Sequence, residues 1–320
     1  VNDSKRVIAI FISFIIAISI VQTDSIQQFV MQVKSNSVFS VVQYTDEEKR
    51  YLQKIKEDAS KHYKAPIDAK MDSVWQAIPE LDGQEVDIEA SLKASMQKKN
   101  GEIVWKYKKL APKKRLSDLV NAPVYRGNSE QKAVGLMVNV AWGTEHLKEM
   151  LAILDKEGMK ATFFLDGSWL NKNQEVAKEL VKKGHEIGNH GYTHPLMGQV
   201  SKERVEREIT RTEDLIYQTL RIHSKWFAPP AGDFNQQVVE MVEKYKMKTI
   251  LWTCDTIDWK KSSTPDKIVS RAQKVGPGML LLTHPTDRTV DALPNIIQEV
   301  KKKGLVLTSV GKVLSPERID

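Results

Sequence analysis

Residues 133–165 read AVGLMVNVAWGTEHLKEMLAILDKEGMKATFFL. Two short apolar runs, Ala133–Val138 and Ala161–Leu165, bracket this stretch, and the same rhythm continues downstream. Glu186–Gly188, Trp226–Phe227, Thr249–Trp252, Met279–Leu282 and Leu305–Leu307 are further strand candidates. Amphipathic helical sequence lies between them. Over Glu203–Leu220, for example, Val205, Ile209, Ile216 and Leu220 fall on one face. Another helix starts at Thr264-Pro265, an N-cap followed by proline at the first helical position. Strands alternating with helices at this spacing make a parallel sheet. Seven such units in about 180 residues suit a small closed barrel better than an open sheet. No Gly-x-Gly-x-x-Gly follows the first strand, which disfavours dinucleotide binding. The fold class expected is α/β, a distorted (β/α)7–8 barrel over residues 131–320.

Working outward, the N-terminus has a different character. Lys5 and Arg6 precede Val7–Val21, apolar apart from Ser13 and Ser19. Such a segment is a signal peptide or a signal anchor over residues 1–24, so the rest is expected outside the cytoplasm, with the membrane as one partner. Residues 25–45 are polar and Gln/Ser-rich, a stalk. Residues 46–130 form a small α/β domain in this scheme, with no chemistry assigned to it. Its signals are a helix from Asp46 carrying Tyr51, Leu52 and Ile55, a helix start over Asp72–Ala77, and the Ile103-Val104-Trp105 run. The basic run Lys106, Lys108, Lys109, Lys113, Lys114 and Arg115 reads as a solvated face.

The 320 residues carry 48 basic and 41 acidic side chains, a net charge of +7. That excess suits anionic surroundings such as wall polymers, although a lysine-rich proteome explains it as well. No arginine-rich helix or aromatic-plus-basic repeat points to nucleic acid. A mean hydropathy of −0.39 excludes a multi-spanning membrane protein. The single cysteine, Cys254, excludes an internal disulfide framework.

In a parallel α/β barrel the chemistry sits at the C-terminal ends of the strands. There the sequence gathers Gly188-Asn189-His190-Gly191-Tyr192-Thr193-His194-Pro195, Phe227-Ala228-Pro229-Pro230-Ala231-Gly232, Asp255-Thr256-Ile257-Asp258-Trp259 and Leu282-Thr283-His284-Pro285. Two imidazoles four residues apart at a strand end suit a divalent metal that prefers nitrogen and oxygen ligands. Histidines, carboxylates and Pro-Gly turns at successive strand ends are more specific than any one of them alone.

Residues 133–312 resemble the polysaccharide deacetylase family, also called the NodB-homology domain or carbohydrate esterase family 4. Its members are metal-dependent hydrolases that remove acetyl groups from wall and chitin-like glycans. Trp142-Gly143 after the first strand resembles the sporulation-associated branch found in endospore-forming bacteria. The resemblance implies His190 and His194 as metal ligands and zinc as the divalent metal. It implies Asp258 as the residue that orients the catalytic His284, and Trp142, Pro229, Pro230 and Trp259 as the substrate groove. The implied partner is a cell-wall glycan such as peptidoglycan, and the implied reaction is hydrolysis of a non-peptide carbon–nitrogen bond.

The sequence also departs from the family pattern. The general-base aspartate is replaced by Asn139, which cannot take a proton. The metal carboxylate is replaced by Val140 or Ala141, and the arginine that pairs with the base by Ala228. The losses agree with one another, because an arginine kept without its carboxylate leaves a buried unpaired charge costing about 3–5 kcal/mol. Glu145, Asp166, Asp233 and Asp255 could replace the base, though a helix cap or solvated loop charge accounts for each more simply. Two functions stay open on the sequence alone. One is a deacetylase with a degenerate site; the other is an inactive pseudoenzyme that binds glycan or scaffolds at the membrane.

Overall fold

The computed structural model describes residues 44–98 and 100–319. The expected signal segment and nearly all of the stalk lie outside them. Among the described residues, no helix is long and apolar enough to cross a membrane. The chain divides into two compact units: the described part of 1–58 with 88–105, and 59–87 with 106–320.

The first unit pairs α1 (Asp46–Asp58) with a second helix over Ile88–Lys98. Tyr51 and Ile55, one turn apart on α1, are its buried residues, with Leu92 buried on the other helix. That spacing is the apolar stripe of a helix resting on one partner.

The second unit carries two small antiparallel strand pairs. β1 (Lys70–Asp72) pairs antiparallel with β2 (Gln76–Ile78), and β3 (Gly83–Val86) with β4 (Tyr107–Leu110). The helix start expected at Asp72–Ala77 is therefore a turn between strands. Asp72 Oδ1 accepts from the backbone N–H groups of Val74 and Trp75, both at 2.9 Å. An aspartate makes the same contacts in an Asx-turn as in an N-cap, so the signal was ambiguous.

The main sheet is all parallel. Its strands are β5 (Ala133–Val140), β6 (Thr162–Leu165), β7 (Glu186–Asn189), β8 (Trp226–Phe227), β9 (Lys248–Thr249), β10 (Cys254–Asp255), β11 (Leu280–Thr283) and β12 (Val306–Thr308). The order is β10-β11-β5-β6-β7-β8-β9, with β12 added to β5. Every residue of β5, β6 and β11 is buried, as strands covered on both faces require. The helix expected at Glu203–Leu220 runs over Lys202–Leu220. Thr264 caps the next one expected, Pro265–Ala272, by accepting from Lys267 N.

The sheet curls without closing into a hydrogen-bonded ring, which corrects the closed barrel expected. Its two edge strands, β9 and β10, are joined by only four residues, 250–253. A link of that length spans about 17 Å at most, so the edges must face each other. The segment 124–126 fills the seam between them. Val124 bridges Ile250 in parallel, and Arg126 bridges Met279 antiparallel. β10 was missing from the strand candidates because two residues, one of them Asp255, give no apolar run.

Candidate active site

A cavity of 320 Å³ opens at the C-terminal ends of the strands, lined by Asn139, Ala141, Trp142, His190, His194, Ala231, Trp252, Asp255, Trp259, Leu282 and His284. It holds seven of the residues expected from sequence in one place or directly behind it: Asn139, Trp142, His190, His194, Asp258, Trp259 and His284. Pro229 and Pro230 are buried outside the lining. They set the turn that presents Ala231 to the cavity instead of forming its wall.

One side of the cavity is fully wired. Asp258 has no solvent exposure. Its Oδ1 lies 2.7 Å from His284 Nδ1, and its Oδ2 accepts from His284 N at 2.6 Å and from Thr289 Oγ1 at 2.5 Å. With Nδ1 held by the carboxylate, His284 is left with Nε2 for the cavity. Trp142 stacks on its imidazole, with ring centroids 5.9 Å apart and an interplanar angle of 3°. Gly143 makes that placement possible. Its φ is +79°, and a Cβ there would lie 2.0 Å from the Pro285 carbonyl oxygen, so only glycine lets the loop lie this close.

The other side lacks partners. Asn139 is 4% exposed, and its Oδ1 has no hydrogen-bond partner. Ala228, in the expected arginine position, is fully buried and offers only its carbonyl, which lies 2.7 Å from His190 Nδ1. Of the two alternatives left by sequence, Val140 is buried in the hydrophobic core and Ala141 lines the cavity. Neither supplies a ligand atom.

The histidine pair sits between these sides. The rings of His190 and His194 are 5.2 Å apart and tilted at 72°. Burial first, and the neighbouring His194 second, hold His190 down to a pKa of about 3. It is therefore neutral at physiological pH. With Nδ1 engaged by a backbone carbonyl, the nitrogen left for a ligand is Nε2, the orientation seen in metal-binding histidines. A catalytic zinc is held by three protein ligands plus water. Among the described residues, no group of three His, Cys, Asp or Glu side chains is placed to hold a metal ion. The donor set therefore does not fit the zinc that the resemblance implied.

The alternative carboxylates are distributed unevenly. Asp255 lines the cavity, its Oδ1 accepting from Ile257 N at 2.7 Å. Asp166 is buried and caps the next helix, accepting from Trp169 N and Ser168 Oγ, and burial raises its pKa. Asp233 accepts from Gly198 N, and Glu145 lies beside His146. None of the last three lines the cavity.

Sequence reasoning missed the brace behind the histidines. Glu208 is 3% exposed. Its Oε2 accepts from Tyr192 N at 2.7 Å and Thr193 N at 2.6 Å, and its Oε1 accepts from Thr193 Oγ1 at 2.8 Å. Arg204 pairs with it at 2.8 Å. These bonds hold a loop in which His194 takes φ of +56°, a conformation costly outside glycine. The signal was available: Glu208 falls among Val205, Ile209 and Thr212 on the helix face that is buried.

The parallel α/β half-barrel thus brings a histidine pair, an Asp–His dyad and flanking tryptophans together at its strand ends. A family model described as polysaccharide deacetylase matches residues 126–250. The uncharacterized Bacillus subtilis protein YlxY is 40% identical over 258 residues, spanning 79% of this chain and 80% of its own. A carbohydrate esterase family 4 pseudoenzyme from Bacillus anthracis superposes with a TM-score of 0.78 at 38% identity, covering 84% of this chain and 96% of that one. A mutant of it with restored enzymatic activity also superposes at 0.78, with 37% identity and coverage of 84% and 99%. A peptidoglycan-N-acetylglucosamine deacetylase of Bacillus cereus is 29% identical over 188 residues, 57% of this chain and 68% of its own. The chain belongs to the polysaccharide deacetylase family.

Proposed function

We propose that this chain is a pseudoenzyme of the deacetylase family that holds N-acetylated wall glycan, peptidoglycan or similar, without hydrolysing it. Asn139 carries the proposal. A buried amide stands where the reaction needs a base, and an amide cannot accept the proton from the attacking water. Loss of a general base alone lowers turnover by about 10²–10⁴. The short donor set removes the metal that would polarise the acetyl carbonyl and lower the pKa of bound water.

What remains suits binding. Trp142 and Trp259 are 46% and 49% exposed at the cavity rim, and large amphipathic rings give sugars an apolar face to lie on. Asn139 offers an amide acceptor and donors to a ligand's acetamido group, which a carboxylate would meet only as an acceptor. The similarity to a peptidoglycan deacetylase supports the choice of glycan, and extracytoplasmic placement follows from that choice. Attachment through residues 1–24 and a role in sporulation remain part of the proposal, resting on the sequence.

Titration of chito-oligosaccharides and muropeptides into the protein tests this by calorimetry. Saturable binding that weakens about fivefold or more in Trp142→Ala is expected from the loss of an aromatic platform of about 1–3 kcal/mol. No binding by the parent protein would refute it.

One observation favours a second reading. The Asp258–His284 dyad is complete, with Thr289 in support, and serves as the general acid of a working site. Slow hydrolysis with Asp255 as a substitute base would use it. His284→Ala would then abolish acetate release, whereas a binding protein has none to lose.

A further inference from the structure

Beside the cavity, a second surface groove of 650 Å³ runs along the helix Pro265–Ala272 and the loop before it. Lys260, Lys267, Arg271 and Lys274 line it against a single acid, Asp266. Among the described residues, none of these four cations enters an ion pair. Elsewhere on the same unit cations are commonly matched, as Lys183 is by Asp155 and Lys301 by Glu157. The serine hydroxyls of the groove, Ser270 among them, add neutral donors. Four unmatched cations in one concave strip attract anions from every side, and the arginine among them can grip an oxyanion with two parallel N–H bonds.

The strip is continuous with the cavity. Trp259 lines the cavity, and the Lys260 ammonium lies 5.1 Å from the Trp259 ring centroid. Lys260 also lines the groove. A polymer lying across the tryptophans would therefore run directly onto the cations.

We propose that the groove lined by Lys260, Lys267, Arg271 and Lys274 is an anion subsite for charged groups, phosphate or carboxylate, carried by the same wall polymer whose sugars enter the cavity. The proposal deepens the glycan-binding reading and rests on it. It gives the positive charge of this face a use: the cations select charged wall material over neutral chitin-like glycan. Phosphodiester polymers and the peptide-stem carboxylates of peptidoglycan share the required chemistry.

The test is a pelleting assay of the purified protein with isolated Gram-positive cell walls, alongside the triple variant Lys267→Gln, Arg271→Gln, Lys274→Gln. These side chains are exposed and outside the cavity, so the variant is expected to melt as the parent does and to bind neutral chitohexaose equally. Its affinity for walls should fall roughly tenfold or more at low salt, and the parent's wall binding should weaken steeply as salt is raised. Walls stripped of phosphodiester polymers by hydrofluoric acid, and stripped walls with amidated carboxylates, separate the two sources. Loss of binding on stripping assigns the phosphodiester, and loss only after amidation assigns the carboxylate. Equal pelleting of parent and variant on untreated walls would overturn the subsite. Failure of the parent to bind chitohexaose would instead overturn the reading of the cavity.

Discussion

The two sides of the cavity have opposite fates. On the Asp258 side both carboxylate oxygens have partners, taking bonds from His284 N, His284 Nδ1 and Thr289 Oγ1. On the Asn139 side the amide oxygen has none, and the alanines Ala228 and Ala141 bring no polar side-chain atom to it. Buried polar networks are costly when half satisfied. In the proposed reading, the base and its arginine could be lost together because each loss removed the other's partner. The dyad could not be dismantled one residue at a time at so little cost, since its aspartate also fastens the backbone of the β11 loop. Keeping the dyad is thus explained by structure as well as by chemistry.

Rebuilding the empty side gives the largest expected effect. Asn139→Asp with Ala141→Asp and Ala228→Arg should raise acetate release from acetylated chito-oligomers by about 10²–10⁴ in the presence of zinc. No gain in a folded, zinc-loaded variant would show that the loss lies elsewhere. Breaking the wired side comes next. Asp258→Ala should lower unfolding stability by about 3 kcal/mol in urea titrations, because it strands buried donors. Asn139→Ala should cost about 1 kcal/mol or less, its amide oxygen having no bond to lose. Equal losses from the two substitutions would contradict the contrast.

A smaller effect is expected at the loop that joins the sides. Gly143→Ala forces a Cβ against the Pro285 carbonyl at positive φ and should cost about 2 kcal/mol. Displacement of Trp142 from His284 would be read as a change in indole fluorescence. Smallest is the pH response. Burial depresses His190 to about 3 and His185 to about 4. The unfolded chain takes up these protons near pH 6.5, before the folded one does. Stability is therefore full above 6.5 and falls as the pH drops toward the folded values, by about 1 kcal/mol between pH 7 and pH 6. Thermal melting across that interval checks it, and a flat profile would mean that neither imidazole is held neutral.

Much of the fold was legible because parallel strands covered on both faces leave continuous apolar runs. Ala133–Val140 is the clearest, with all eight residues buried. The short strand Cys254–Asp255 left no run, and the Asp72 turn imitated a helix cap. In the site, histidines and the Asp-Trp pair were legible as motif positions. Which way a side chain points is set by the pleat and the strand end, so Val140 could not be told from Ala141 beforehand. The role of Glu208 depends on a helix packing behind a loop fifteen or sixteen residues away in the chain, and its trace was a charge on an apolar face.

The central claim is that the cavity has lost turnover and kept its shape. The most direct measurement is acetate release from acetylated chito-oligomers and peptidoglycan in excess zinc, comparing the protein with His284→Ala. The account predicts no release from either above the uncatalysed background. Acetate released by the parent and abolished by His284→Ala would contradict it and establish a working deacetylase.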